Sequence, residues 1–343
     1  MPIIPPMERD ELISSWLDRT ARFYDRPLQA LLLGAAPRSA KPIELSEVDL
    51  GTAKGALRPV AALLGISIEH LAAHTIAAAY SWGLHLVARG TFVPDGHRSP
   101  RLRYAACPHC LERQRADRGI SWLTRAWILA PRTVCSIHHV PLVEGHVGSI
   151  SHPIWSDFLR RHRHSNRAVC AIAQAPSAPV TSWAGPPFAD NEAAGLHRQM
   201  ATIQDGILAG AAQETRRRGT VGEGRARVTY DLVWAFTRAD RHYPDRLVYE
   251  AFASDLLDSP WHVAQRRRPG PVDFPTLSLH ERHVLLATAT VLTGPQSLRR
   301  QFCQSTGPWQ ADLATLHRRL KDDDRAELAG RQRKWNKVPE STI

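Results

Sequence analysis

Residues 104–143 read YAACPHCLERQRADRGISWLTRAWILAPRTVCSIHHVPLV and carry four side chains at metal-ligand spacing: Cys107, Cys110, Cys135 and His138. The pattern is C-P-x-C, 24 intervening residues, then C-x-x-H. A two-residue gap lets a tight turn aim both side chains at one ion, and two such turns supply four soft or borderline donors. That set suits a single tetrahedral zinc. Four protein ligands close the coordination shell, so the site reads as structural; catalytic zinc keeps a position open for water. His109 lies inside the first pair and His139 follows His138. Either is a stand-in ligand, but the two-residue gap favours His138.

Between the two pairs, Trp122, Leu123, Trp127, Ile128 and Leu129 read as core over one side of the ribbon. A module this small gains from its metal the stability that its core lacks.

Upstream, residues 8–33 read as helices, with Leu12, Ile13, Trp16, Leu17 and Phe23 near helical spacing and Pro27 opening a second helix. Gly34 to Lys54 reads as loop with short turns. Residues 57–80 give a helix ending at Gly65, then a second helix capped by Ser67 with Glu69 in its first turn, the outline of a helix-turn-helix. The second element, IEHLAAHTIAAAY, is poor in the Arg, Lys, Asn and Gln that read base edges. This hairpin is therefore expected to serve as scaffold or protein interface.

Downstream, residues 152–170 hold Arg160, Arg161, Arg163 and Arg167 among histidines. The segment 174–188 is rich in Pro and Ser and reads as a linker. Helical patterns follow at 192–213, at 228–258 with Leu232, Trp234, Phe236, Leu247, Tyr249, Phe252 and Leu256 as core, and at 279–292. The expected fold is mainly α with a small zinc-ribbon module. It divides into an N-terminal helix-turn-helix-like part over 1–100, a ribbon with a basic extension over 101–173, a linker over 174–191, and a C-terminal helical domain over 192–343 with a frayed tail.

The formal net charge is +11, and its placement matters. Residues 1–100 balance ten Lys/Arg against ten Asp/Glu, whereas residues 101–170 set eleven against four. The surplus therefore sits on and just after the ribbon, and there it is all Arg, which grips phosphate in bidentate fashion. Arg101, Arg103, Arg113, Arg115, Arg118, Arg125, Arg132, Arg160, Arg161 and Arg163 are the candidate nucleic-acid contacts. The five cysteines are an odd number, and three belong to the metal pattern. Cys170 and Cys303 read as buried small apolar residues, and a reducing compartment fits better than a disulfide framework. No charged-then-apolar leader opens the chain and no apolar run approaches the roughly 20 residues of a membrane helix. A cytoplasmic protein is the expectation.

Three stretches resemble the TniQ family of transposition accessory proteins, which are related to the target selector TnsD. They are DELISSWLDRTARFYDRPL at the N-terminus, LLGISIEHLAAHTI in the hairpin, and CPHCL with CSIHHVPL around a Trp-containing interval. The resemblance covers about residues 8–145. Many relatives follow the second pair with further cysteines; here LVEGHVGSI has none, so one zinc is expected. The resemblance implies a non-enzymatic adaptor that selects or marks target DNA for a transposon and recruits an AAA+ ATPase regulator. It also implies DNA contact, direct or through partners, and, in some relatives, a homodimer docked on a CRISPR effector complex.

Two other readings compete. A stand-alone transcription regulator would use residues 57–80 to read DNA, against which their composition argues. A zinc hydrolase would need an open metal position and a general base, but there is no HExxH and no deaminase-like HxE. GxxxxGK[ST] and GxSxG are also missing from the sequence.

Overall fold

The structure is a computed structural model that describes residues 3–35, 45–52, 54–80, 84–90, 101–144, 190–212, 221–238, 274–294 and 316–335. Among these residues it is mainly helical with little strand. Two compact units divide the chain. The first comprises 1–132, 142–178 and 211–214; the second comprises 133–141, 179–210 and 215–343.

In the first unit, α1 (Ile13–Phe23) is central: Ile13, Trp16, Leu17 and Ala21 are all buried. Each fully buried Ile or Leu in such a core contributes about 2 kcal/mol. Against α1 pack α2 (Leu28–Ala35) and α3 (Leu45–Leu50), and α4 (Lys54–Leu64) packs on α2 and α3. Leu57, Val60, Ala61 and Leu64 recur at three- and four-residue steps, so one stripe of α4 joins that core. Phe23 lies at the end of α1 and is exposed.

The hairpin is only partly as expected. Gly65 ends α4 in a left-handed conformation, φ +69°, and Ser67 Oγ accepts from His70 N at 3.1 Å to cap α5 (Ile68–Ala73). The second element, however, breaks into α5 and α6 (Ile76–Ala79). The hydroxyl of Thr75 donates to Ala72 O at 2.8 Å and accepts from Ala78 N at 3.2 Å, closing one helix and opening the next. Thr75 also packs on Gly51, where a Cβ would lie 2.4 Å from the threonine side chain and φ is +69°. The stretch expected to be loop between Gly34 and Lys54 contains α3. Leu45, Val48 and Leu50 bury against the core, which local composition alone did not reveal.

Short strands frame the ribbon. β1 (Arg89–Gly90) pairs antiparallel with β2 (Arg101–Leu102), and β3 (Ala105–Ala106) with β4 (Val143–Glu144). Between β3 and β4 in sequence comes α7 (Pro108–Arg118).

The second unit is built on α8 (Asp190–Ala212), α9 (Val221–Arg238), α10 (Leu279–Leu292) and α11 (Asp322–Trp335), with α9 packed on α10 and α11. A capping box opens α10: Ser278 Oγ accepts from Glu281 N, and Glu281 Oε2 accepts from Ser278 N at 2.8 Å. Trp234 and Phe236 are core as expected, while Leu232 is half-buried. Arg160, Arg161, Arg163, Arg167, Cys170, linker residues 174–189, Leu247, Tyr249, Phe252, Leu256 and Cys303 lie outside the described residues, as does the tail beyond 335. Among the described residues, no helix is long and apolar enough to cross a membrane.

Candidate metal centre

The N-terminal segment is stitched to the interval between the two ligand pairs. Leu12 N donates to Leu123 O at 2.8 Å, Leu123 N donates to Ser15 Oγ at 3.0 Å, and Arg125 N donates to Asp10 O at 2.8 Å. Glu11, 1% exposed, receives Arg19 Nε at 2.9 Å and Arg19 Nη2 at 2.7 Å, together with Ser15 Oγ at 3.1 Å. Trp16 Nε1 donates to Pro5 O at 2.7 Å. The DELISSWLDR stretch thus does its work inside the fold.

The first ligand pair sits on a helix start. Cys107 is the residue before α7, its backbone extended, and Pro108 takes the first helical position, where its missing N–H costs nothing. Cys110 falls in the first turn. Both sulfurs lie at the positive end of the α7 peptide dipole, which suits anionic ligands. Gly119, φ +71°, ends the helix, its N–H bonding Arg115 O at 2.8 Å.

The second pair sits on a tight hairpin. Cys135 N donates to Val140 O at 2.8 Å, His139 N donates to Cys135 O at 3.0 Å, and Val134 bridges Pro141. His139 takes the left-handed conformation that reverses the chain, φ +53°. The turn directs two backbone donors at the sulfur: Ile137 N and His138 N each lie 3.4 Å from Cys135 Sγ. His138 Nδ1 is 3.7 Å from the same sulfur.

The ligand atoms of Cys107, Cys110, Cys135 and His138 all lie within 4.8 Å of one another, the three cysteines buried and the histidine half-buried. Tetrahedral zinc with metal–sulfur bonds near 2.3 Å sets its ligand atoms about 3.8 Å apart. The spacing, the 3.7 Å sulfur–nitrogen distance and the backbone donors on Cys135 Sγ all fit one ion held by four side chains. His109 is exposed and His139 is not in the cluster.

The candidate arginines divide by surroundings. Arg113 and Arg118 are exposed on α7, and Arg115 and Arg103 are half-buried. Arg113 Nε faces Asp117 at 3.5 Å, an exposed pair of small energetic weight. Arg118 lies 4.0 Å from Glu8. Arg101 belongs to β2. Arg125 spends its Nε on Asp10 at 2.9 Å. Arg132 is 5% exposed, so its guanidinium is not displayed to solvent, contrary to the role expected of it.

Two buried polar residues near this framework had no place in the sequence reading. Asp49 on α3 accepts from Ser14, and Gln204 on α8 bonds Thr133 and Val134. A signal for Gln204 exists: Leu196, Met200, Gln204 and Leu208 follow at four-residue steps, a buried helical stripe with one amide in it.

Residues 2–142 match the family model described as TniQ. The matched stretch contains both ligand pairs and the N-terminal segment stitched to the interval between them. No match was found among curated proteins.

Proposed function

We propose, from the premise that residues 2–142 form a TniQ domain, that this chain is a non-enzymatic adaptor of transposition. It selects or marks target DNA and recruits an AAA+ ATPase regulator, while the strand-transfer chemistry belongs to partners. The observation that carries the reading is the family match over a stretch whose best-formed site is a closed set of four ligands.

The ion we assign is one structural zinc. Its ligands are Cys107, Cys110, Cys135 and His138, and their part is to hold α7 and the 135–139 turn in fixed geometry. DNA contact falls to the arginines in reach of a polyanion: Arg113, Arg115 and Arg118 on α7, with Arg103 ahead of the first ligand pair. Arg125 and Arg132 serve the fold. The hairpin suits a protein interface better than base readout, because α5 spans only Ile68–Ala73 and exposes Glu69, His70 and Ala73. Guidance by a CRISPR effector complex and action as a homodimer belong to the same proposal.

A pull-down of the AAA+ ATPase encoded beside the same transposon tests the reading. We expect capture by this chain, strengthened by DNA. No capture with or without DNA counts decisively against the adaptor role.

A further inference from the structure

Gln204 is fully buried, and each of its described hydrogen bonds goes to the two residues that lead into Cys135. Its Oε1 accepts from Thr133 N and from Val134 N, both at 3.1 Å, and its Nε2 donates to Thr133 Oγ1 at 2.8 Å. Two successive backbone N–H groups converging on one oxygen are incompatible with a regular strand. The amide therefore holds the chain in a local bend immediately before the ligand turn. Thr133 and Val134 are 0% exposed and Cys135 is 1% exposed, so water is no substitute for the amide there.

The next bonds along the chain belong to the ligand turn: Val134 bridges Pro141, Cys135 N bonds Val140 O, and Cys135 Sγ takes the N–H groups of Ile137 and His138. From this continuity we infer that Gln204 is a positioning residue for the metal site, fixing where Cys135 and His138 present their donor atoms. It lies 62 residues beyond the end of the matched domain at 142, and belongs with the turn at 133–141 to the second unit. The C-terminal helical part thereby supplies a support of the metal centre. Residues that orient ligands without touching the ion typically govern its affinity by 10- to 100-fold. The inference rests on the four residues binding a metal.

The test uses the full chain loaded with Co2+, whose thiolate-to-cobalt absorption reports the site directly, and titrates it with a chelator. Compared are the unaltered protein, Gln204→Leu, Thr133→Val and Met200→Ala. Met200 is one turn away on the same buried stripe and touches none of these bonds, so Met200→Ala measures loosened helix packing alone. We expect Gln204→Leu to surrender its cobalt at about 10- to 100-fold lower chelator concentration, Thr133→Val to shift the same way by less, and Met200→Ala to stay with the unaltered protein. If Gln204→Leu fails to fold, Thr133→Val against Met200→Ala decides. Cobalt retention by Gln204→Leu equal to that of the unaltered protein, or an equal loss in Met200→Ala, overturns the inference alone. Failure of the unaltered protein to take up cobalt overturns the metal reading and this inference with it.

Discussion

Ser14 holds Asp49 with both of its donors: its N–H lies 2.8 Å from Oδ1 and its hydroxyl 2.6 Å from Oδ2. Helix α1 begins at Ile13 after Leu12, which has no capping side chain, and its first turn carries no acid. Asp49, reaching over from α3, takes the place of that missing cap by accepting a first-turn N–H of the helix. The arrangement is fully buried. Removal from water pushes the Asp49 carboxyl up to about 7, against the pull of Ser14 and of Tyr104, whose hydroxyl is 3.5 Å away.

That shift predicts a pH dependence of stability with a definite sign. A carboxyl that holds its proton more tightly when folded contributes most at low pH. The contribution fades as pH rises from near 4 and is gone above about 7. Burial raises Asp10, Glu11 and Asp18 in the same direction. His197 is lowered to about 4, also by burial, so its contribution is instead lost as pH falls from 6.5 through 4. Comparing the protein with Asp49→Asn cancels these other groups. Urea unfolding at pH 5 and pH 8 should show Asp49→Asn gaining ground on the native protein at the higher pH. Parallel pH profiles for the two would refute the assignment.

The Glu11–Arg19 pair should be far more costly to break than to replace. Both oxygens of Glu11 are engaged by the guanidinium, and the side chains are 0% and 8% exposed. Removing one partner from a buried pair leaves an uncompensated charge, at about 3–5 kcal/mol. Arg19→Ala should lose stability on that scale in denaturant unfolding, and Glu11→Leu with Arg19→Met should recover part of it. A double variant no better than Arg19→Ala would mean that packing, and not stranded charge, sets the cost.

The cluster of Cys107, Cys110, Cys135 and His138 was legible in the sequence because each of its pairs is local: two residues between partners fix a turn without help from the rest of the chain. The helix of Leu279–Leu292 was legible for the same reason, its apolar run lying within the element itself. Asp49 and Gln204 were not. Each is a polar residue satisfied by groups 35 and 71 residues away, and no local pattern encodes such a pairing. The break at Thr75 was hidden differently. Its alanine-rich surroundings favour continuous helix, and the threonine hydroxyl and its packing on Gly51 override them. Among the arginines, composition located the charge, but the buried Arg132 shows that it did not locate the surface.

Salt dependence should separate the exposed arginines from the structural ones. Neutralising a phosphate contact reduces the slope of log K against log salt by about 0.9 for duplex DNA. Replacing Arg113, Arg115 and Arg118 together by Gln should flatten the slope by about 2–3. Arg132→Gln should leave it unchanged in whatever fraction folds. Anisotropy titrations of duplex DNA at two salt concentrations measure both, and an unaltered slope in the triple variant would remove α7 from the interface.

The adjacent histidines offer the sharpest test of the metal centre. His138 points Nδ1 at the cluster, 3.7 Å from Cys135 Sγ, whereas His139 turns the chain with φ +53°. A side chain there strains the backbone by about 1–2 kcal/mol that glycine avoids. His139→Gly should therefore still carry one zinc per chain and unfold at slightly higher denaturant. His138→Ala should bind zinc more weakly, and Cys107→Ser should lose it with partial unfolding of the ribbon. Metal content by mass spectrometry and unfolding midpoints decide among these. Should His139→Gly lose the metal while His138→Ala keeps it, the fourth ligand is His139 and the turn must reorganise on binding.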